Sequence, residues 1–142
     1  MANIFNTARY VLDKCGPMST WKLQKLCYYS QAWSLAWTGE PIFQEDFEAW
    51  SNGPVCPALF QVHRGLFTVS QGNIPEAYES DPPLTEGQIE TIDRVLDEYK
   101  SWEPYELREQ THIEKPWKDA RGTLDVGERC RTVITKAAMG EY

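Results

Sequence analysis

Residues 21–57 read WKLQKLCYYSQAWSLAWTGEPIFQEDFEAWSNGPVCP, and the fold turns on how this stretch is read. It holds Trp21, Trp33, Trp37 and Trp50, four of the six tryptophans in the chain, and runs just past Gly53-Pro54. Large aromatic side chains bury more area than any others, so such a stretch either seeds a core or forms an adhesive surface. The pattern of its residues separates the two. Ser19 or Thr20 can cap a helix that reaches about Trp37, and Gly39 closes it. Trp21, Leu23, Leu26, Cys27, Tyr28, Tyr29, Ala32, Trp33, Leu35, Ala36 and Trp37 cover most of its circumference, as in a central, buried helix.

Working outward, Pro41-Ile42-Phe43 and Phe47-Glu48-Ala49-Trp50 are short segments separated by Gln44-Glu45-Asp46, and they suggest a small β-hairpin within residues 41–50. Ser51-Asn52-Gly53-Pro54 reads as a turn that launches a third helix from Val55 to about His63. A first helix is expected over residues 3–14, capped by Asn3 and stopped by Cys15-Gly16-Pro17. Residues 66–70 suggest a short strand, and Asp81-Pro82-Pro83 ends an irregular part. Thr85-Glu86-Gly87-Gln88 is a capping box with Leu84 and Ile89 as a staple; Ile89, Ile92, Val95, Leu96 and Tyr99 then stripe a helix to about Lys100. A short helix over 104–110, a loop over 111–117 and a last helix over 126–138 complete the reading.

The expected fold is therefore mainly α. It is a compact single domain over residues 1–142, a helical bundle around a central buried helix at about 20–37, with a small β-hairpin or short strands near 41–50 and 66–70. Leu23, Leu26, Tyr28, Trp33, Val55 and Phe60 are its expected structural core.

Composition narrows the function. A net charge of −7 argues against a phosphate-binding surface and suits a basic protein partner, or simply solubility. No nucleic acid is expected to bind this domain alone: Lys22, Lys25, His63 and Arg64 are too few for the phosphate contacts a duplex demands. No apolar run is long enough for a membrane span, and the first residues do not resemble a secretory leader. Cys15, Cys27, Cys56 and Cys130 are widely spaced, as reduced thiols in a cytoplasmic protein would be.

Chemistry is hard to find. His63 and His112 lack the i+3 or i+4 partners of zinc hydrolases, so no metal and no cofactor is expected. Cys56 at a helix start, with His112 as base, would be a nucleophile; its apolar neighbours Val55, Ala58 and Leu59 favour an inert, buried thiol. Glycines occur singly, without a phosphate loop, and no catalytic residue is assigned. The segment Thr111-His112-Ile113-Glu114-Lys115-Pro116-Trp117 either pins a loop onto the core or forms a partner-binding edge, since tryptophan is enriched in binding hot spots.

Several motifs in order resemble the Panacea antitoxin family, the SocA-like proteins also described as phage-associated. They are KLQKLCYYSQAW at 22–33, GEPIF at 39–43, EAWSNGPV at 48–55, Thr111-His112 and Pro116-Trp117, with Ile92-Asp93-Arg94-Val95-Leu96 and Tyr99 matching a late long helix. The resemblance runs from about Ala8 to Arg121. Cys27 and Cys56 depart from it where an aliphatic residue is more usual, and no DNA-binding or toxin segment is appended.

The resemblance implies a non-enzymatic role. The protein would be the antitoxin of a type II toxin–antitoxin pair, prophage-encoded as many relatives are, that binds and neutralises a toxin protein encoded by an adjacent gene. The alternative it leaves open is a phage-associated regulator or an adaptor that delivers a bound protein to a host protease. The toxin-binding edge expected on this reading comprises Trp50, Asn52, Gly53 and Pro54 with His112, Glu114, Pro116 and Trp117.

Overall fold

A computed structural model describes residues 2–51, 53–74, 84–122 and 131–141, with Glu141 described by its backbone alone. The structure is mainly helical with a few short antiparallel strands. Helix α1 (Ile4–Cys15) starts at Asn3, whose side chain accepts from the Asn6 amide while the Asn6 side chain accepts from the Asn3 amide. Strand β1 (Met18–Ser19) leads into α2 (Thr20–Thr38), capped by Ser19 and ended by Gly39 in the left-handed conformation at φ 75°. Then come β2 (Phe47–Trp50), β3 (Gly53–Val55), α3 (Pro57–His63) and β4 (Thr68–Val69). Helices α4 (Glu86–Tyr99), α5 (Pro104–Ile113) and α6 (Lys115–Arg121), strand β5 (Val133–Ile134) and α7 (Lys136–Glu141) follow.

Helix α2 is the element the others surround. It packs against α1, α4, α5, α7 and β3, and residues 23–31 are all buried. Leu23, Leu26, Tyr28 and Val55 are buried as expected, but Trp33 and Phe60 are half-buried. Trp33 packs on the edge of the core, whereas Phe60 meets Trp50 and His63 edge-on instead. Polar side chains inside α2 also have structural tasks. Gln31 accepts from the Ile42 amide at 2.7 Å and donates to the Phe43 carbonyl at 2.8 Å. One helical face and seven residues earlier, Gln24 accepts from the Cys56 amide at 2.8 Å and meets His63 Nε2 at 2.9 Å. Each glutamine satisfies buried backbone of an irregular segment that has no ladder to join.

This hydrogen bonding relocates the hairpin. Residues 41–43 are not a strand, because Gln31 supplies the hydrogen bonds a strand partner would have given. The hairpin instead pairs β2 with β3 (Ala49 opposite Pro54, Trp50 opposite Gly53), and β5 joins the other side of β2. Pro54 lacks an amide hydrogen and is tolerated because β3 is an edge strand. Hence Gly53-Pro54 is strand rather than turn, and α3 starts at Pro57, two residues later than Val55. The strand expected within 66–70 is Thr68–Val69, paired with β1.

The capping box at Thr85 forms as read, with Thr85 Oγ1 accepting from the Gln88 amide and Gln88 Oε1 from the Thr85 amide. The loop expected over 111–117 is instead helical on both sides of one extended residue, Glu114. Pro116 sits in the first turn of α6, where its missing amide hydrogen costs nothing. Of the expected last helix, residues 126–130 lie outside the described residues; Val133–Ile134 is strand and helix begins only at Lys136. Asp81, Pro82 and Pro83 also lie outside them.

Candidate functional site

The hairpin turn and the α5–α6 corner, read from sequence as two halves of one edge, do come together. Trp117 Nε1 donates to the Trp50 carbonyl at 2.8 Å, and Arg121 donates to the Ala49 carbonyl at 3.1 Å while lying over the Trp117 ring. The His112 ring stacks on Trp117, centroids 4.0 Å apart and 10° from parallel, and hydrogen-bonds the Ser51 backbone. The other half of the contact is apolar: Trp50 packs edge-on against Phe60, and its indole donates to Glu48.

Most of the expected contact residues hold this joint from inside. Gly53, Pro54, Glu114, Pro116 and Trp117 are buried, and Trp50 and His112 are half-buried. Asn52 lies outside the described residues. Glu114, at the corner between α5 and α6, accepts from Tyr29 Oη at 2.9 Å and from Gln110 Nε2 at 3.0 Å. Burial raises its carboxyl pKa, with the two donors opposing. Side chains on this edge that face solvent are Tyr105 and Ile113, about two-thirds exposed, which the sequence did not single out.

Beneath the hairpin lies Lys25, which the sequence places in the family-like motif at 22–33 and among the few basic residues of its helix. Lys25 is 1 % exposed, and its ammonium reaches the Pro54 carbonyl at 3.5 Å and stands 5.5 Å from the Trp21 ring centroid. Burial, with Arg108 adding repulsion, lowers its pKa from the usual 10.5 to about 7. Gly53 makes room for it. At φ 115° a Cβ there would stand 2.5 Å from Lys25 Cε and 2.9 Å from Thr111 Oγ1. Burial, Arg108 and Lys25 together bring His112 down to about 4. Lys25, Arg108 and His112 thus disfavour one another's charged forms, while Glu109, 3.6 Å from Arg108, opposes the shift at His112. The signal available in the sequence was a lysine inside an otherwise greasy helix, followed 28 residues later by a glycine.

Lys25 also lines a recess of about 200 Å³ with Trp21, Pro104, Tyr105 and Arg108. A second, aromatic recess of about 340 Å³ lies across α2 between Trp33, Trp37, Tyr99 and Met139. Its wall is a run of ring contacts: Tyr29 stacks on Tyr99 at 4.5 Å, and Trp33 meets both Tyr99 and Trp37. Trp37 is 54 % exposed.

Burial works against thiolate formation at the described cysteines. Cys15, Cys27 and Cys56 are free, and burial raises all three pKa values, Cys56 to about 11 despite two backbone amides that favour its thiolate. Among the described residues no group of three or more His, Cys, Asp or Glu is placed to hold a metal ion, and no helix is long and apolar enough to cross a membrane.

Comparison with known families gives a match to the domain described as "Antitoxin SocA-like, Panacea domain" over residues 23–118, from the first buried turns of α2 into α6. The chain belongs to this family. No curated protein and no solved structure matches it.

Proposed function

We propose that the protein is a non-enzymatic, cytoplasmic antitoxin that binds and neutralises a toxin protein encoded by an adjacent gene. Membership of the SocA-like antitoxin family carries this reading, since the matched region includes both halves of the hairpin–α5 joint. The buried and half-buried members of the joint shape the neutralising surface from below. The partner meets its solvent-facing side: the Trp50–Ser51 end of the hairpin, Tyr105, Arg108 and Ile113.

Energetics agree with a binding role. The His112–Trp117 stack and the Trp117–Trp50 hydrogen bond tie the two halves of this surface together, and such preorganisation lowers the ordering entropy that opposes association. The net charge of −7 favours encounter with a basic protein. Co-expression with the adjacent gene product is the direct test. Growth inhibition by that product alone, relieved by this chain, and co-purification of the two are expected. A product that is harmless alone, or that stays toxic beside this chain, overturns the proposal. Capture of a host protease with no toxin would favour the adaptor role.

A further inference from the structure

The Lys25 recess has an unusual charge balance. An ammonium has three donor hydrogens, yet Lys25, buried on every side, has one long hydrogen bond to a carbonyl and no carboxylate partner among the described residues. The charged group acting on it is a second cation, Arg108, half-buried on the same recess wall and itself 3.6 Å from the Glu109 carboxylate. Burying a charge without a counter-ion is expensive. Replacing Lys25 by an apolar side chain would relieve that cost without changing the shape. An anion entering the recess would favour the charged form of Lys25 that burial disfavours.

The recess itself decides which kind of anion fits. At about 200 Å³ it is smaller than the roughly 300–1,000 Å³ common for small-molecule and cofactor sites, and it is the size of one or two side chains. Trp21, Pro104 and Tyr105 give it apolar walls that suit methylene groups, and Lys25, its ammonium 5.5 Å from the Trp21 ring centroid, and Arg108 complete the lining. Aromatic walls around a shielded polar contact are the usual setting of an interface hot spot. We propose that this recess is an anchor site for one acidic side chain, Glu or Asp, of the partner protein, whose carboxylate pairs with Lys25 and Arg108. The inference rests on the antitoxin reading for the identity of the partner, but the recess can be tested without it. Gly53 belongs to the same device. Its missing side chain keeps Lys25 seated under the hairpin at the surface the partner meets.

Two experiments test the site. In the first, the whole protein with 13C-labelled lysine is titrated with N-acetyl-glutamate methylamide, and the Lys25 Cε resonance is assigned by its loss in Lys25→Met. Saturable movement of that resonance at millimolar probe is expected, the affinity that a ligand of about a dozen heavy atoms supports. The neutral N-acetyl-glutamine methylamide should leave it in place. No movement with the glutamate probe, or equal movement with both, overturns the proposal, as does movement with inorganic phosphate alone.

In the second, binding of the adjacent gene product is compared for wild type and Lys25→Met, with folding verified by circular dichroism. Affinity should fall at least about tenfold. One Glu→Gln or Asp→Asn change on the partner should weaken wild type equally and add nothing to Lys25→Met. Unchanged affinity in a folded Lys25→Met protein sinks the anchor site. Failure of the gene product to bind wild type sinks the antitoxin reading instead, and leaves the recess to the first experiment.

Discussion

At the scale of single residues, Gly53 and Lys25 are one feature. Adding a methyl group at Gly53 both imposes a backbone conformation that side chains rarely adopt and overlaps Lys25. Gly53→Ala should therefore destabilise the protein by about 2–4 kcal/mol, combining a positive-φ penalty with overpacking. Thermal or urea unfolding measures the loss. Adding Lys25→Ala should recover the overpacking part and leave the backbone part, so the two changes will not be additive. Lys25 also predicts a pH dependence. Its pKa is about 7 folded and 10.5 unfolded, so above pH 7 the unfolded chain holds the extra proton and stability rises with pH. The contribution grows by about 1.4 kcal/mol per pH unit. Above about pH 9 the slope turns, because Cys27, Cys56 and Tyr29 are held protonated in the fold and ionise first in the unfolded chain. The difference in unfolding free energy between wild type and Lys25→Met isolates the lysine. It should shift in favour of wild type as pH rises from 7 to 9, and a flat difference would contradict the assigned protonation.

At the scale of elements, what the sequence revealed and what it hid have a common cause. Helices α1, α2 and α4 were legible because their signals are local: Asn3, Ser19 and Thr85 cap them, and Gly16 and Gly39 close α1 and α2. The hairpin and the α5–α6 corner were misplaced because distant groups decide them. Nothing near Ile42 announces that Gln31 will take its amide, and nothing near Glu114 announces that Tyr29 will hold its carboxylate. In a helix that reads as apolar, Gln24, Lys25 and Gln31 carry no local sign of their partners, yet a buried polar side chain must find one and so marks where other segments attach. The candidate edge was half legible: its two segments do meet, yet tryptophan content alone could not tell an inward Trp117 from an outward Tyr105. Gln31→Leu tests the attachment. It keeps the helix but leaves the Ile42 amide and Phe43 carbonyl buried without partners, at a cost of about 1–3 kcal/mol for each group left unsatisfied. Amide exchange at Ile42 should accelerate far more than at Leu23 or Leu26, and uniform acceleration would mean that the glutamine supports the whole fold rather than this segment.

At the scale of the whole molecule, charge is divided between two tasks. The surface is acidic overall, with exposed carboxylates such as Glu90, Glu109 and Asp119 engaged in solvent-facing ion pairs that add little stability. On the proposed antitoxin reading, their collective field acts at a distance, attracting a basic partner before contact, whereas the proposed Lys25 anchor acts only once the surfaces touch. The two should separate kinetically. Raising salt from low to physiological strength shortens the reach of the field to about 8 Å, so the association rate with the proposed toxin partner should fall steeply while dissociation changes little. Lys25→Met should do the reverse: it removes one charge of a chain whose net charge is −7, leaving encounter nearly unchanged, and it accelerates dissociation by removing a desolvated contact. Stopped-flow association and surface-immobilised dissociation on the two proteins at several salt concentrations measure both rates. A Lys25→Met effect confined to the association rate would place the lysine in the long-range field, contrary to its burial beneath the hairpin.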